Sequence, residues 1–385
     1  MDASCTRELV CTVVPETHRD LIGRPLSDVP TPALLVDAVL LERNLAAMAA
    51  HFADSRVVYR PHTKSHKSPL IAKMQLAHGA RGVCCSKLGE AEVLVSGGVD
   101  DIHITTPVVG IDKLRRLAAL AARARLSVVL DNAENVAELS NAASAASVVI
   151  DAVIEMDVGQ GRCGVAGVEE TLALAAAVDA AKGLTLKGIQ GYQGKLQSVT
   201  RFSDRRKGVR AALDKLLAAA HALEQHGFQI ALLTGGGTGS LPIDLASGGL
   251  TELQPGSYVF MDSSYRQIDW NADGGRTPFA NALSVLAGVV SRPLSDRAVL
   301  DVGWKAASSD SGPPVLKEGG YAVEFAGDEH SLVRGEIAST LRVGSRVELI
   351  PSHCDTTVNL YDRYHVIRDG AVEAIWPVAA RGRTD

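Results

Sequence analysis

Short runs of β-forming residues alternate regularly with helical patterns over most of this chain, from about residue 33 to about residue 262. Such an alternation is typical of βα units, in which helices connect parallel strands and cover the sheet. One clear helical stripe follows Asp37, the predicted N-cap, with apolar residues at i, i+4, i+7 and i+11. These residues are Leu41, Leu45, Met48 and Phe52. A second stripe lies within residues 209–223.

Eight strands are predicted between the helices. They lie at residues 56–60, 81–85, 101–105, 127–131, 150–157, 187–192, 229–234 and 252–259. Eight parallel strands, each joined to the next by a helix, fit a (β/α)8 barrel of the TIM type in number and in chain length. The alternative is an open doubly wound sheet, which needs a point where the strand order reverses. The sequence marks no such point.

From about residue 280 the helical stripes disappear. Residues 283–290, 298–302, 342–350 and 364–370 read instead as strands joined by tight turns. We therefore predict an α/β barrel at residues 26–275 and a mostly antiparallel β domain at residues 276–385. Residues 1–25 are candidates to join the second domain.

Composition restricts the partners of the chain. Its 385 residues are 46% hydrophobic and 22% charged, which is enough to bury two domain cores. The formal net charge is −5 and no basic residues cluster, which argues against binding to nucleic acid or an anionic membrane. No apolar run reaches the roughly 18 residues of a membrane span. A small molecule is the expected partner.

The cysteines and the N-terminus bear on location. Six cysteines, at positions 5, 11, 84, 85, 163 and 354, show no repeated CxxC spacing. A chain of this size does not need disulfides for stability, so we interpret them as reduced thiols. The first residues lack the basic and apolar regions of a signal peptide. We expect a cytoplasmic protein, with import into an organelle left open.

A lysine follows the first barrel strand, in the run Arg60-Pro61-His62-Thr63-Lys64. Catalytic groups of such barrels lie at the carboxyl ends of the strands, so Lys64 is expected to point into the barrel mouth. Nearby cations (His62, His66 and Lys67) and partial burial are expected to lower its pKa, and a neutral amine attacks an aldehyde. A solvated basic turn is the alternative.

The fifth strand runs into Glu155-Met156-Asp157-Val158-Gly159-Gln160-Gly161-Arg162-Cys163-Gly164. Its three glycines allow the backbone to approach a ligand closely. Arg162 could donate a hydrogen bond to a ring nitrogen or a phenolate oxygen. The alternative is an ion pair between Arg162 and Asp157 or Glu155.

A glycine-rich loop, Thr234-Gly235-Gly236-Gly237-Thr238-Gly239-Ser240, follows the seventh strand. Backbone N–H groups in such a loop form an anion site. The loop lacks the lysine of a P-loop and the spacing of a dinucleotide motif, so a monophosphate is the better fit. Barrels commonly bind phosphate after strands 7 and 8, and the eighth strand adds Gly256, Ser257 and Tyr258.

The last candidate site lies in the β domain, at Pro351-Ser352-His353-Cys354-Asp355. On a strand, residues i and i+2 share a face, so His353 and Asp355 could bind one cation. One imidazole and one carboxylate leave most positions to water, which suits Mn²⁺ or Mg²⁺; Cys354 as a ligand would favour zinc. An ordinary capped turn is the alternative.

Together these residues resemble the family of D-threonine aldolases, 3-hydroxyaspartate aldolases and D-serine dehydratases. Enzymes of this family have an alanine-racemase-like fold and use pyridoxal 5′-phosphate (PLP). The resemblance runs from about Thr31 to Ala380. It includes the motifs RPHTKSHK, GVCCSK, EMDVGQGRCGV, GIQGYQG, TGGGTGS, ELQPGSYVFMD and PSHCDTTVN, with WPVAARG near the end.

The resemblance implies a role for each candidate residue. Lys64 forms the Schiff base with the cofactor, and Arg162 and Tyr192 contact the cofactor ring. A divalent metal binds His353 and Asp355. The implied phosphate contacts are Gly236, Gly237, Thr238, Gly256, Ser257 and Tyr258.

Two positions depart from many D-threonine aldolases, which have glutamine in place of Ser86 and histidine in place of Ser198. A histidine at the second position would be a natural base for the substrate hydroxyl, and a serine is a poor one near neutral pH. The base is then a metal-bound hydroxide, His62 or Lys64.

The activity that this resemblance implies is retro-aldol cleavage of a D-β-hydroxy-α-amino acid to glycine and an aldehyde. A 3-hydroxy-D-aspartate aldolase is the nearest alternative. A D-serine dehydratase is less favoured because His353-x-Asp355 stands where that enzyme has histidine-x-cysteine. An alanine racemase would leave the metal pair idle, and a PLP carrier protein would lack residues 280–385. The resemblance also implies a homodimer.

Overall fold

Two β-sheets organise the chain in a computed structural model, which describes residues 16–385. Its strands are β1 Ala33–Asp37, β2 Val58–Tyr59, β3 Val83–Cys85, β4 Asp101–Ile104, β5 Arg125–Leu130, β6 Ile150–Glu155, β7 Leu184–Gly191, β8 Leu232–Gly235, β9 Glu252–Leu253, β10 Leu283–Leu294, β11 Arg297–Leu300, β12 Val315–Leu316, β13 Glu324–Phe325, β14 Ser331–Arg334, β15 Arg346–Ile350, β16 Arg363–Arg368 and β17 Ala371–Pro377.

Helices cover the sheets, and short 3₁₀ turns stand at several strand ends. The α-helices are α1 Glu16–Arg19, α2 Ala38–Phe52, α3 Pro69–Ala77, α4 Leu88–Ser96, α5 Ile111–Ala121, α6 Ala133–Ala145, α7 Val168–Asp179, α8 Phe202–Gln225, α9 Leu241–Ser247, α10 Glu336–Thr340 and α11 Cys354–Val358. The 3₁₀ turns are Leu26–Asp28, Thr63–Ser65, Gly194–Leu196, Ser257–Val259 and Tyr265–Gln267.

The predicted eight-stranded parallel sheet is confirmed, in the order β2-β9-β8-β7-β6-β5-β4-β3. A parallel bridge between His62 and Cys84 joins its two ends. Hydrogen bonds from Cys84 N to Pro61 O (2.8 Å) and from Arg81 N to Tyr59 O (2.9 Å) add to this bridge. The order shows no reversal, so the doubly wound alternative is wrong and the fold is a TIM-type barrel.

The eighth predicted strand, 252–259, is shorter than expected. Only Glu252–Leu253 pairs as a strand, and Ser257–Val259 forms a 3₁₀ turn. Pro255 explains the early end because proline has no N–H to give to a ladder. The turn brings Gly256 and Ser257 to the mouth of the barrel.

The second sheet is mostly antiparallel and contains β10 to β17, as predicted for the C-terminal part of the chain. It also includes β1, which pairs antiparallel with β10 and parallel with β16. This strand falls within the range 26–275 that the sequence assigns to the barrel, and the chain enters the barrel only after α2. Residues 23–26 also bond to residues 370–372 of this sheet. The two domain ranges themselves stay a prediction.

The structure tests only part of what the sequence predicts for the cysteines, the N-terminal segment and membrane spans. Cys84, Cys85, Cys163 and Cys354 are free thiols, and Cys5 and Cys11 lie outside the described residues, as does most of the segment 1–25. Within residues 16–385, none of the helices is long and apolar enough to cross a membrane.

The barrel interior holds an ionic cluster around Arg60, at the end of β2. Its Nη1 is 2.5 Å from Asp101 Oδ1 and its Nε is 3.0 Å from Glu252 Oε2. The Arg60 and Glu252 side chains are almost fully buried, so the pKa of Glu252 is raised by burial, against the opposing effect of Arg60. Gly82 makes room for this arginine, since a Cβ there would lie 2.1 Å from Arg60 Nη1.

Replacement of Arg60 by alanine is expected to lower the free energy of unfolding by about 3–5 kcal/mol, because Glu252 would remain charged and buried without a partner. Urea denaturation followed by circular dichroism measures this change. The matched control is Arg81→Ala, at an exposed position beside the same strand. Equal stability of the two variants would contradict the role of the cluster.

Candidate active site

A cavity of about 260 Å³ opens at the carboxyl ends of the barrel strands, where residues of the second sheet meet the barrel. Most of the side chains proposed from the sequence line it. They are His62, Lys64, Arg162, Tyr192, Gly237, Thr238, Gly256, Ser257, His353 and Asp355.

Lys64 lies in the 3₁₀ turn Thr63–Ser65 and reaches into this cavity. Its Nζ is 3.7 Å from Asp355 Oδ2 and 5.8 Å from the centre of the Tyr192 ring. Burial lowers the pKa of Lys64, but Tyr192 and Asp355 outweigh it, and the pKa is raised. The expected lowering of the pKa is therefore wrong: the sequence shows the neighbouring cations, but not that Tyr192 and Asp355 lie close to Lys64.

His62 is buried next to Lys64, with both ring nitrogens engaged. Nδ1 accepts from Lys64 N (3.3 Å), so Nε2 carries the hydrogen and faces Thr105 Oγ1 at 3.0 Å. Burial, together with nearby Lys64, holds the pKa of His62 well below its usual value. His62 thus has no free lone pair in this arrangement, which counts against its candidacy as the general base. Its hydrogen bond to Lys64 N instead holds the turn in place.

Arg162 lies in the loop after β6, with its guanidinium carbon 5.8 Å from the centre of the Tyr192 ring. Asp157 shapes this loop because its Oδ1 accepts from Gly159 N (2.9 Å) and Gly161 N (3.0 Å). These bonds lower the pKa of Asp157. No ion pair of Arg162 with Asp157 or Glu155 is found within residues 16–385, so that alternative is not supported. Arg162 remains available to a ligand.

Backbone donors from two loops converge at one end of the cavity. The N–H groups of Thr238, Gly256 and Ser257 find no acceptor within the described residues. Gly256 allows this approach, since a Cβ there would lie 3.1 Å from His62 O. The convergence fits a phosphate group.

Two of the predicted phosphate contacts lie elsewhere. Gly236 borders an adjacent small cavity. The Tyr258 side chain is fully buried, and its hydroxyl accepts from Gln75 Nε2 (3.1 Å). Its backbone N–H donates to Thr238 Oγ1 (3.1 Å), so Tyr258 can support the phosphate loop but does not face the cavity.

Gln197 holds the glycine loop. Its Oε1 accepts from Gly239 N (3.0 Å) and Ser240 N (3.2 Å), and its Nε2 donates to Ser240 Oγ (2.9 Å). The fit is close, because a Cβ at Gly237 would lie 2.6 Å from Gln197 Oε1. The side-chain amide of Gln197 therefore occupies part of the glycine loop that we predicted from the sequence to bind an anion.

His353 and Asp355 face each other, with Nε2 and Oδ2 3.9 Å apart. They do so at the start of helix α11, with His353 as its N-cap, so the predicted strand is wrong although the two side chains do converge. Cys354 is buried. Burial lowers the pKa of His353, but Asp355 and Asp310 raise it overall. Within residues 16–385 no cluster of three or more metal-binding side chains forms, so this pair stays a two-residue candidate.

The polar floor of the cavity was not anticipated from the sequence. Gln190 Oε1 accepts from His103 Nε2 and from Gln254 Nε2, each at 2.8 Å, and Gln190 Nε2 donates to Glu155 Oε2. Burial raises the pKa of Glu155 to about 8. In the sequence, Gln190 and Gln254 stand at the ends of apolar strands. Hydrophobic patterning identifies the strands but does not assign a role to polar residues at their ends.

Another residue that sequence reasoning missed is Asp262. It is buried beside the metal candidates, and burial raises its pKa to about 7. It receives hydrogen bonds from Tyr265 N (2.9 Å) and Cys354 N (3.3 Å), which tie the loop after β9 to the start of α11.

A TIM-type barrel with a lysine, an arginine and a glycine-rich loop at its mouth, joined to a mostly antiparallel sheet, is the alanine-racemase-like fold. The family model described as alanine racemase, N-terminal domain, matches residues 36–264. The model described as putative serine dehydratase domain matches residues 282–367.

Individual relatives narrow this class. A D-threonine aldolase of Arthrobacter sp is 44% identical over 362 residues, covering 94% of this chain and 95% of the relative. A 3-hydroxy-D-aspartate aldolase of Paracoccus denitrificans (strain Pd 1222) is 40% identical over 370 residues, with the same coverage. The crystal structure of D-threonine aldolase from Filomicrobium marinum superposes with a TM-score of 0.90 at 42% identity, covering 94% of this chain and 98% of that one.

The chain belongs to the family of D-threonine aldolases, 3-hydroxy-D-aspartate aldolases and D-serine dehydratases, which confirms the resemblance. It is an enzyme of the lyase class. Membership implies PLP as the cofactor, and the cavity fits it. Lys64 offers an amine, Arg162 forms no ion pair with a carboxylate of residues 16–385, and three residues with free backbone N–H groups in that range line the cavity. The enzyme assignment sets aside the PLP carrier hypothesis.

Replacement of Gln197 by alanine is expected to weaken PLP binding about tenfold, because two buried N–H groups would lose their acceptor and the glycine loop would lose its brace. Spectrophotometric titration of the apoenzyme with PLP measures the dissociation constant. Gln229→Ala, at an exposed position before β8, is the control. Unchanged PLP affinity in Gln197→Ala would show that the loop keeps its shape without this side chain.

Proposed function

We propose that this enzyme is a D-threonine aldolase that cleaves D-β-hydroxy-α-amino acids to glycine and an aldehyde, with PLP and a divalent cation, Mn²⁺ or Mg²⁺. The observation that carries the proposal is the shared cavity. Lys64 follows barrel strand β2, whereas His353 and Asp355 lie at the start of helix α11, and all three line the same space. The proposed cleavage uses both an amine for the cofactor and an oxygen-binding cation near the β-hydroxyl.

The residues divide the work of holding the cofactor. Thr238, Gly256 and Ser257 would bind the phosphate through their N–H groups, and Arg162 and Tyr192 would contact the ring. PLP supplies an electron sink for the pair of electrons left on Cα when the Cα–Cβ bond breaks. The polar floor formed by Gln190 and Gln254 would fix the depth of the ring in the barrel.

His353 and Asp355 would hold the cation at the β-hydroxyl side of the cavity. A positive charge there favours loss of the hydroxyl proton, which cleavage requires. Of the chain's own candidates for the base, Lys64 lies in the open cavity, 3.7 Å from Asp355 Oδ2, whereas His62 has both nitrogens engaged. Lys64 is therefore the residue we assign to move protons. Because its pKa is raised, it carries a proton to return to Cα, and it can accept the hydroxyl proton only after it has lost its own.

The substrate assignment within the family is tested by products. We expect D-threonine to give glycine and acetaldehyde, and chelation with EDTA to abolish the reaction, with Mn²⁺ restoring it. Ammonia and a keto acid would identify a dehydratase instead. Faster turnover of 3-hydroxy-D-aspartate than of D-threonine would identify a 3-hydroxy-D-aspartate aldolase.

Replacement of Lys64 by alanine is expected to remove the visible absorbance of bound PLP and to lower kcat at least 10²-fold, because the amine that attacks the aldehyde is gone. The absorbance spectrum and the rate of glycine formation are measured on the same samples. Lys207→Ala, at an exposed position on helix α8, is the control. A normal spectrum in Lys64→Ala would contradict the assignment.

Homodimerisation and a cytoplasmic location remain predictions from the sequence. Light scattering during size-exclusion chromatography tests the first, with twice the chain mass of 40.5 kDa expected.

A further inference from the structure

His353 has a second carboxylate neighbour on the side away from Asp355. Its Nδ1 lies 2.6 Å from Asp310 Oδ2, which is a short hydrogen bond. An ionised carboxylate can only accept, so Nδ1 carries a hydrogen, and in the neutral imidazole Nε2 keeps its lone pair. That lone pair lies on the side of Asp355, 3.9 Å from its Oδ2.

Asp310 is itself held in one orientation. Its Oδ1 accepts from Thr356 Oγ1 (2.9 Å) and from Ser308 Oγ. Two hydroxyls on one oxygen leave Oδ2 for the imidazole. The three residues come from the loop between β11 and β12 and from helix α11, so the contact connects two segments of the second sheet's domain.

We propose that Asp310 is a positioning residue for the divalent cation, acting through His353. It fixes the tautomer and the ring plane of His353, so that Nε2 and Asp355 Oδ2 face one point in the cavity. A carboxylate behind a metal-binding imidazole also makes it a stronger ligand. This inference rests on the proposed function, because it requires His353 and Asp355 to bind the cation.

The competing interpretation is a surface ion pair with a role only in stability. The exposed fractions of the two side chains are 30% for His353 and 43% for Asp310, and pairs this exposed contribute little to folding. A stability role therefore predicts a small change in melting temperature and no change in metal affinity. The positioning role predicts an unchanged melting temperature and a lower metal affinity.

The test compares wild-type enzyme with Asp310→Asn, which keeps the shape of the side chain and removes its charge. Each PLP-loaded protein is stripped of metal with a chelator and titrated with Mn²⁺, and free Mn²⁺ is measured by electron paramagnetic resonance. We expect Asp310→Asn to bind Mn²⁺ about 10–100-fold more weakly, with the melting temperature of the metal-free protein unchanged. Asp296→Asn, in the exposed turn between β10 and β11, is the control and should bind like wild type.

Two further results separate this inference from the proposed function. His353→Ala should lose Mn²⁺ binding, and Asp310→Asn should keep its PLP absorbance. Equal Mn²⁺ affinity in Asp310→Asn and wild type, with weak binding in His353→Ala, would overturn the role of Asp310 and leave the metal site intact. Absence of Mn²⁺ binding in wild type would contradict the metal site, and the inference with it. Loss of folding in Asp310→Asn would support the stability interpretation and overturn ours.

Discussion

The parallel hydrogen bonding of the eight barrel strands is the constraint on which the site depends. In a parallel sheet all carboxyl ends lie at one edge, and when the sheet closes that edge becomes a ring. Lys64, Arg162 and the glycine loop follow strands β2, β6 and β8, which are far apart in the sequence. The closure between β2 and β3, through His62 and Cys84, places them around one cavity.

The interior of this barrel combines two kinds of polar structure with different roles. Arg60 with Asp101 and Glu252 forms an ionic cluster, whereas Gln190 and Gln254 form a neutral floor under the cavity. Buried charges require partners, and each carboxylate near Arg60 has one. A neutral floor brings no further charge close to the ligand site, so Lys64, Arg162 and the acidic residues of the second sheet set its electrostatics.

The second sheet completes the site from outside the barrel. Helix α11 brings Asp355 to 3.7 Å from Lys64 Nζ, and Tyr192 together with Asp355 reverses the direction of the lysine pKa shift expected from its sequence neighbours. The strand β1 belongs to the same sheet although α2, which follows it directly, covers the barrel. The chain therefore leaves the second sheet after β1 to form the barrel and returns to it at β10. These two connections help to hold α11 over the mouth of the barrel.

The sequence by itself determined the barrel, its eight strands and ten of the residues that line the cavity, because hydrophobic periodicity is local and strand ends in a parallel barrel are equivalent positions. It also determined the family, through motifs such as RPHTKSHK and TGGGTGS. Only the tertiary structure decided that Tyr258 points away from the cavity, that Gln197 braces the glycine loop and that Asp310 stands behind His353. These contacts join residues 42 positions apart or more, except for the backbone bond of Tyr258 to Thr238 over 20. Periodicity and motif spacing carry no record of such pairs, since any polar side chain of suitable length could occupy either position.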